Sequence, residues 1–334
     1  MNCISLAASG PIRDRIRALS RGLALLILAG FAGCAQGPQL RGYQDVGKAV
    51  ELDGVPFYHQ NGFQGAPAAL AMMLGVSGVH ANPDELVDLV YNKATKDSAP
   101  AAVRNAPTHY GRIGYDLRSK QIDLEVIHRV QSGQPVLVRL HDGFLVKDWR
   151  YVAVIGVDPD ANTYTLRSGA AQQETMLYGD FLKAWHDSGY WAMVIERPGD
   201  LPQGATAAEW LGAAKLIEQA GKLEAAVQAY FAVSQRWGEE AEAWAGLGRT
   251  YDAMHNVHGA IIAFNNAVSL QPKNASYHYG LGQTLLEREC ADQAESEADL
   301  AVELEPDPNL RGPYLKLQKQ TEEHTGPSVV CQLD

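Results

Sequence analysis

The sequence predicts an α+β domain followed by an all-α repeat solenoid, and three observations carry that prediction. Between residues 51 and 198, helix-like apolar patterns come first and strand-like runs follow, the order of an α+β fold. From residue 207 the sequence is self-similar with a period of 34 residues, as stacked helix pairs are. A length of 334 residues, 46% apolar and 20% charged, suits about two packed domains. The same composition excludes a polytopic membrane protein, a disordered chain and a disulfide-stapled miniprotein. A net charge of −11 argues against a nucleic-acid surface, which needs clustered Lys and Arg.

Residues 1–33 read as a targeting segment. Arg13, Arg15, Arg17 and Arg21 precede an apolar run from Gly22 to Ala32. A membrane span needs about 20 apolar residues, so this run fits the core of a signal peptide instead. It ends in Phe31-Ala32-Gly33-Cys34. Small residues before a cysteine resemble the lipobox of bacterial lipoproteins, although Phe31 stands where a Leu is usual. The resemblance implies cleavage before Cys34 and a lipid anchor on it. Ala35, in place of Asp, implies the outer membrane facing the periplasm. Loss of the leader removes four arginines and one aspartate and takes the net charge from −11 to −14. With Cys3 removed and Cys34 acylated, Cys290 and Cys331 remain as free thiols or as one disulfide, in a compartment that permits it.

Residues 34–50 read as a linker, and 51–198 as the α+β domain. Ala68 to Leu74 reads as the start of a buried helix. Asp84 to Tyr91 is amphipathic, with Asn82 and Pro83 placed as cap and first turn. A third helix is expected over Ile122 to Ser132, ended by Gly133. Strand-like runs follow at Pro135 to Leu140, Tyr151 to Val157, Thr163 to Arg167 and Tyr190 to Glu196. Asp158-Pro159-Asp160-Ala161-Asn162 imitates half of a calcium loop. It lacks the Gly at the sixth position (Thr163) and the Glu at the twelfth (Gly169), so a polar hairpin turn is expected.

The run Val55-Pro56-Phe57-Tyr58-His59-Gln60-Asn61-Gly62-Phe63-Gln64-Gly65-Ala66-Pro67-Ala68-Ala69-Leu70 resembles the leading motif of papain-like cysteine peptidases of the bacteriocin-leader type. Trp149-Arg150-Tyr151-Val152-Ala153-Val154-Ile155-Gly156-Val157-Asp158 resembles the strand that carries their histidine. Leu166-Arg167-Ser168-Gly169 and Gly189-Tyr190-Trp191-Ala192-Met193-Val194 resemble the end of lipoprotein members with C-terminal repeats. The resemblance implies a papain-like fold. In such enzymes a cysteine at a helix N-terminus attacks a peptide carbonyl, a histidine protonates the leaving amine, and an upstream glutamine helps hold the oxyanion. Laid on this chain, the cysteine position falls on Gly65, the next glycine on Ala66 and the histidine on Arg150. Gln60 is retained. A glycine offers no nucleophile, and a guanidinium cannot shuttle protons at neutrality. His59, His109, His128 and His141 are candidates for a displaced base, and Ser77 and Ser168 for a serine nucleophile, but neither serine sits in a G-x-S-x-G elbow.

Residues 199–206 read as a second linker. In 241–274, Trp244, Leu247, Gly248, Tyr251, Ala260, Phe264, Ala267 and Pro272 fall at the spacings of a tetratricopeptide repeat. The block 275–308 repeats them through Leu281, Gly282, Ala294, Ala301 and Pro306, with His278 in place of the Trp. The block 207–240 fits more loosely through Trp210, Ala214, Ala226 and Tyr230. Three repeats over 207–308, a capping helix over 309–322 and a tail over 323–334 follow from this resemblance. Helical spacing turns Leu211, Lys215, Ala245, Arg249, Tyr279 and Gln283 toward the groove such arrays form, which makes Lys215, Arg249, Tyr279 and Gln283 the candidate peptide-binding residues. Residues 201–334 carry 9 basic and 19 acidic groups, so most of the acidity lies here. His255 and His258 are too isolated for a metal site and are expected in a loop. Gly280-Leu281-Gly282 lies in a repeat and is no phosphate loop. No cofactor, metal or nucleic acid is expected. The expected function is capture of a peptide or protein partner by a periplasm-facing lipoprotein whose peptidase-like domain is catalytically degenerate. An active cysteine-type peptidase with a displaced site, and a purely structural assembly lipoprotein, stay open as alternatives.

Overall fold

In the computed structural model, which describes residues 37–43, 46–59, 65–142, 148–168 and 171–324, the first half of the chain is built on a seven-stranded antiparallel sheet. Its elements begin with β1 (Val50–Glu51), α1 (Gly65–Val76), α2 (Pro83–Val90), the small hairpin β2 (Tyr91–Asn92) and β3 (Asp97–Ser98), α3 (Pro100–Asn105) and β4 (Ile113–Asp116). They continue with α4 (Ile122–Gln131), β5 (Val136–Asp142), β6 (Asp148–Asp158), β7 (Thr163–Ser168), β8 (Ala171–Leu177), α5 (Tyr178–His186) and β9 (Ala192–Glu196). The sheet order is β4-β9-β5-β6-β7-β8, and β1 pairs with the end of β6 through Val50 opposite Val157.

Both faces of the sheet are buried at its centre, which is why β6 reads as a continuous apolar run and not as an alternating one. Tyr151, Ala153 and Ile155 pack with Leu70, Met73 and Leu86 on one side. Val152 and Val154 pack with Val126, Phe181 and Trp185 on the other. Helix α1 is buried over most of its length, from Ala66 to Leu74, and emerges at Val76. Near its end, Gly75 accommodates Pro56, since a Cβ at 75 would come within 2.5 Å of the proline ring.

Local chemistry sets the expected boundaries. Asn82 caps α2 by accepting the Asp84 amide at 3.0 Å. Helix α4 stops before Gly133, whose φ is +91°. Asp158 Oδ1 accepts the amides of Asp160 and Ala161, both at 2.9 Å, so the calcium-like stretch is a hairpin turn between β6 and β7. Seven elements were not expected: the two-residue strands β1, β2 and β3, the short helix α3, and β4, β8 and α5. Helix α1 begins at Gly65, ahead of the expected Ala68, and the strand expected from Tyr190 begins at Ala192 because Tyr190 takes a φ of +58°.

From Ala207 the chain is helical: α6 (Ala207–Gln219), α7 (Leu223–Arg236), α8 (Ala241–Ala253), α9 (Val257–Leu270), α10 (Ala275–Glu287), α11 (Ala291–Leu304) and α12 (Gly312–Glu322). Each packs on the next. Helices α6, α8, α10 and α12 also touch in succession, which makes them one layer of a solenoid and α7, α9 and α11 the other. Small residues permit the approach: a Cβ on Gly248 would come within 2.8 Å of the Phe264 ring. Pro272 and Pro306 fall just beyond the ends of α9 and α11. His255 sits in the turn before α9 at a φ of +57°, whereas His258, also expected in the loop, lies in the first turn of α9. Cys290 is buried and disulfide-bonded, and its partner lies outside the described residues. Among the described residues no helix is long and apolar enough to cross a membrane.

Candidate functional site

Gly65 is the first residue of α1 and is half-buried, ahead of the buried Ala66 and Pro67. The segment at Val55 that leads toward it is held in place from β7, where the buried Arg167 donates to the Val55 carbonyl. Two of the resembling motifs are thereby joined by one hydrogen bond. Gln60 and Cys34 lie outside the described residues.

Arg150 lies on β6 opposite Leu140 of β5. Its guanidinium donates to both oxygens of Glu174 on β8, at 2.8 and 3.0 Å, and to Ser168 Oγ on β7. Ser168 Oγ donates in turn to Glu174 Oε2 at 3.0 Å. A two-pronged guanidinium–carboxylate contact of this kind is a strong and directional pair. The Arg150 hydrogen bonds hold the Glu174 carboxyl below its ordinary range, against the opposite push of burial. Glu174 escaped the sequence because its strand did. Ser168 is thus part of an ion-pair network, and Ser77 Oγ is spent on the Leu74 carbonyl at 2.7 Å.

The histidines divide clearly. His59, His109 and His128 are exposed. His141 on β5 is different: its Nδ1 lies 3.2 Å from Asp187 Oδ2 and its ring packs on Trp149 at 5.2 Å. Its Nε2 is buried and has no hydrogen-bond partner among the described residues. A carboxylate on one nitrogen and a free second nitrogen is the geometry of an oriented base. No cysteine occurs between residues 51 and 198 to serve it. Beside it, Arg139 pairs with Asp97 of β3 and stacks on Trp149 at 4.2 Å, and Tyr151 donates to the Ser98 carbonyl at 2.7 Å. These contacts fasten the β2–β3 hairpin to the sheet.

In the solenoid, Lys215, Arg249, Tyr279 and Gln283 lie on α6, α8 and α10 of one layer. Lys215 and Gln283 are exposed. Arg249 is matched by two carboxylates, Glu218 Oε1 at 3.2 Å and Glu242 Oε1 at 3.0 Å. Tyr230 and Tyr277 donate to the same two acids, and burial together with Glu242 pushes the Tyr277 hydroxyl up to about 12. Tyr279 packs on Tyr314 of α12 at 5.0 Å. Asp252, also on α8, has its carboxyl raised by burial and by Glu287 across the helix pair. The surroundings of Arg249 are therefore acidic, and its own charge is already compensated. Among the described residues no group of three or more His, Cys, Asp or Glu is placed to hold a metal ion.

No family model and no curated protein matches the chain. Among solved structures, a protein described as a C39-like peptidase from Bacillus anthracis aligns with 44% of this chain and 96% of its own, at 19% identity and a TM-score of 0.37. The type III secretion chaperone SycD of Yersinia enterocolitica, in complex with a peptide of the translocator YopD, aligns with 36% of this chain and 97% of its own, at 20% identity and a TM-score of 0.34. A Thermobaculum terrenum O-GlcNAc transferase mutant aligns with 33% of this chain at 29% identity and a TM-score of 0.30, and this chain spans 21% of that transferase's length.

Proposed function

We propose that this chain is a cell-envelope lipoprotein, anchored through Cys34 to the outer membrane facing the periplasm, that captures peptide or protein partners and does not cleave them. The observation that carries the reading is the Arg150–Glu174–Ser168 network. A thiol mechanism needs a nucleophile and a proton shuttle within hydrogen-bond reach of each other. Gly65 supplies no nucleophile. Arg150 stays charged and is locked to a carboxylate, which also removes it as a free receptor for a ligand carboxylate. The capture surface is the peptidase-like cleft together with the α6–α8–α10 layer of the solenoid, where Lys215, Tyr279 and Gln283 offer polar and aromatic contacts.

A second reading, an active peptidase with a displaced site, is favoured by the His141–Asp187 pair and its free Nε2. The two readings separate on one experiment. The purified mature protein is incubated with a peptide library and a thiol-reactive probe, then compared with Gln60→Ala and His141→Ala. Capture without cleavage, unchanged by either substitution, supports the binding reading. Cleavage abolished by either variant overturns it.

A further inference from the structure

We propose that the edge formed by residues 37–43, the β6–β7 turn and the β8–α5 junction is the face this domain lays against the lipid surface. The inference rests on the reading of Cys34 as the acylated first residue. Its own basis is that the chain is packed on the domain from Pro38 to Tyr43, a few residues beyond Cys34.

Leu40 is 0% exposed and belongs to the cluster of Tyr164, Tyr178 and Phe181. Its amide donates to Asn162 Oδ1 at 2.8 Å, and Asn162 Nδ2 donates back to the Pro38 carbonyl at 3.3 Å. Pro38 lies over Gly179, where a Cβ would sit 3.6 Å from its ring. Arg41 pairs with Asp160 of the β6–β7 turn, and Tyr43 donates to Asp123 beside the Tyr178 hydroxyl. Residues 35 and 36 alone separate Cys34 from Gly37, and three peptide steps span at most about 11 Å. Acyl chains in the hydrocarbon hold the cysteine at headgroup level. The docked segment, and the turn it is fastened to, are therefore held close to that surface.

A second observation falls on the same edge. Leu177, at the end of β8, is 57% exposed, although the next residue, Tyr178, is buried and donates its amide to the Asn162 carbonyl at 2.9 Å. An apolar side chain presented beside the anchor suits the headgroup–acyl boundary. Nearby charges are paired, Arg41 with Asp160 and Lys183 with Asp180. Along β8, Gln172 is also exposed and lies about 17 Å from Leu177, which supplies a ruler within one strand.

The test uses the full mature protein purified with its lipid and reconstituted in phospholipid vesicles. A photo-crosslinking benzophenone amino acid replaces Leu177 in one variant and Gln172 in another, and lipid adducts are measured by mass spectrometry. The expected result is severalfold more adduct at 177 than at 172, lost when a flexible Gly/Ser stretch is inserted between Gln36 and Gly37. Equal or reversed labelling in a protein whose intact mass shows acylation overturns the edge and leaves the anchor standing. An unacylated mature mass overturns the anchor, and the edge with it.

Discussion

Neutralising Glu174 takes the charge out of its two-pronged contact with the part-buried Arg150 guanidinium, and the Ser168 hydroxyl cannot replace that charge. Glu174→Gln is expected to cost about 1–2 kcal/mol near neutrality, a value kept low because both partners retain some solvent contact. The folded-state pKa of Glu174 is depressed, so its contribution is complete above the unfolded carboxylate value and fades as pH falls through the lower folded one. Denaturant midpoints of the wild type and the variant should therefore converge in acid, below the ordinary carboxylate range. A gap that stays constant there would assign the cost to packing instead. His278 makes a comparable bridge in the solenoid, where the preceding repeat has Trp244. Its Nδ1 meets Glu297 at 2.6 Å and its Nε2 meets the Pro272 carbonyl at 2.9 Å, with the ring almost wholly buried. Glu297→Ala is expected to lower stability by about 1–3 kcal/mol, the cost of a buried polar atom left without its partner. Chemical denaturation of the variant checks this.

Helix pairing in the solenoid depends on where side chains are absent, and two glycines make the point in opposite directions. A methyl group at Gly248 would meet the Phe264 ring at 2.8 Å, whereas one at Gly212 of α6 meets nothing within 4 Å. Gly248→Ala should cost about 1–3 kcal/mol by overpacking. Gly212→Ala should stabilise by up to about 1 kcal/mol through helix propensity. Thermal melts of the two variants should move apart, and equal shifts would remove packing as the cause. The helix pairs were legible in the sequence because their spacings recur at a fixed period, and β5, β6 and β7 were legible as apolar runs flanked by turns. Strand β8 was not, because Ala171 to Leu177 is a largely exposed edge strand with Gln172, Gln173 and Glu174 in a row. Helix α5 has no side-chain cap to announce it, and β4 is four residues long with a glycine inside. The site inherited these gaps. Gly65 and Arg150 were read from motif positions, yet the carboxylate that locks Arg150 sits on the unseen strand. Likewise Glu218 lies 31 residues from Arg249 in sequence, and helix stacking alone brings the two together.

At the scale of the molecule, the sheet domain closes the first end of the solenoid as α12 closes the last. A repeat array leaves an apolar face at each terminus, and that face must be covered. Here Ile113 of β4 enters the cluster of Trp210, Ile217 and Ala226, and Tyr115 meets Trp210 edge-on at 6.4 Å. Trp210 Nε1 donates to the Pro198 carbonyl at 2.8 Å, and Arg118 pairs with Glu209 of the α6 capping box. The connecting residues are fastened as well, since Arg236 of α7 donates to the carbonyls of Pro202 and Gln203 at 2.8 and 2.7 Å. Such a joint couples the unfolding of the two halves. The full chain should melt in one calorimetric transition, with calorimetric and van't Hoff enthalpies in agreement. Trp210→Ala, which empties the centre of the joint, should cost about 3–5 kcal/mol and split the melt into two. Two transitions in the wild type would show instead that the joint is a contact between independent domains. One transition would mean that a partner gripping the solenoid also loads the sheet domain, because neither half can loosen without uncovering Ile113 and Trp210.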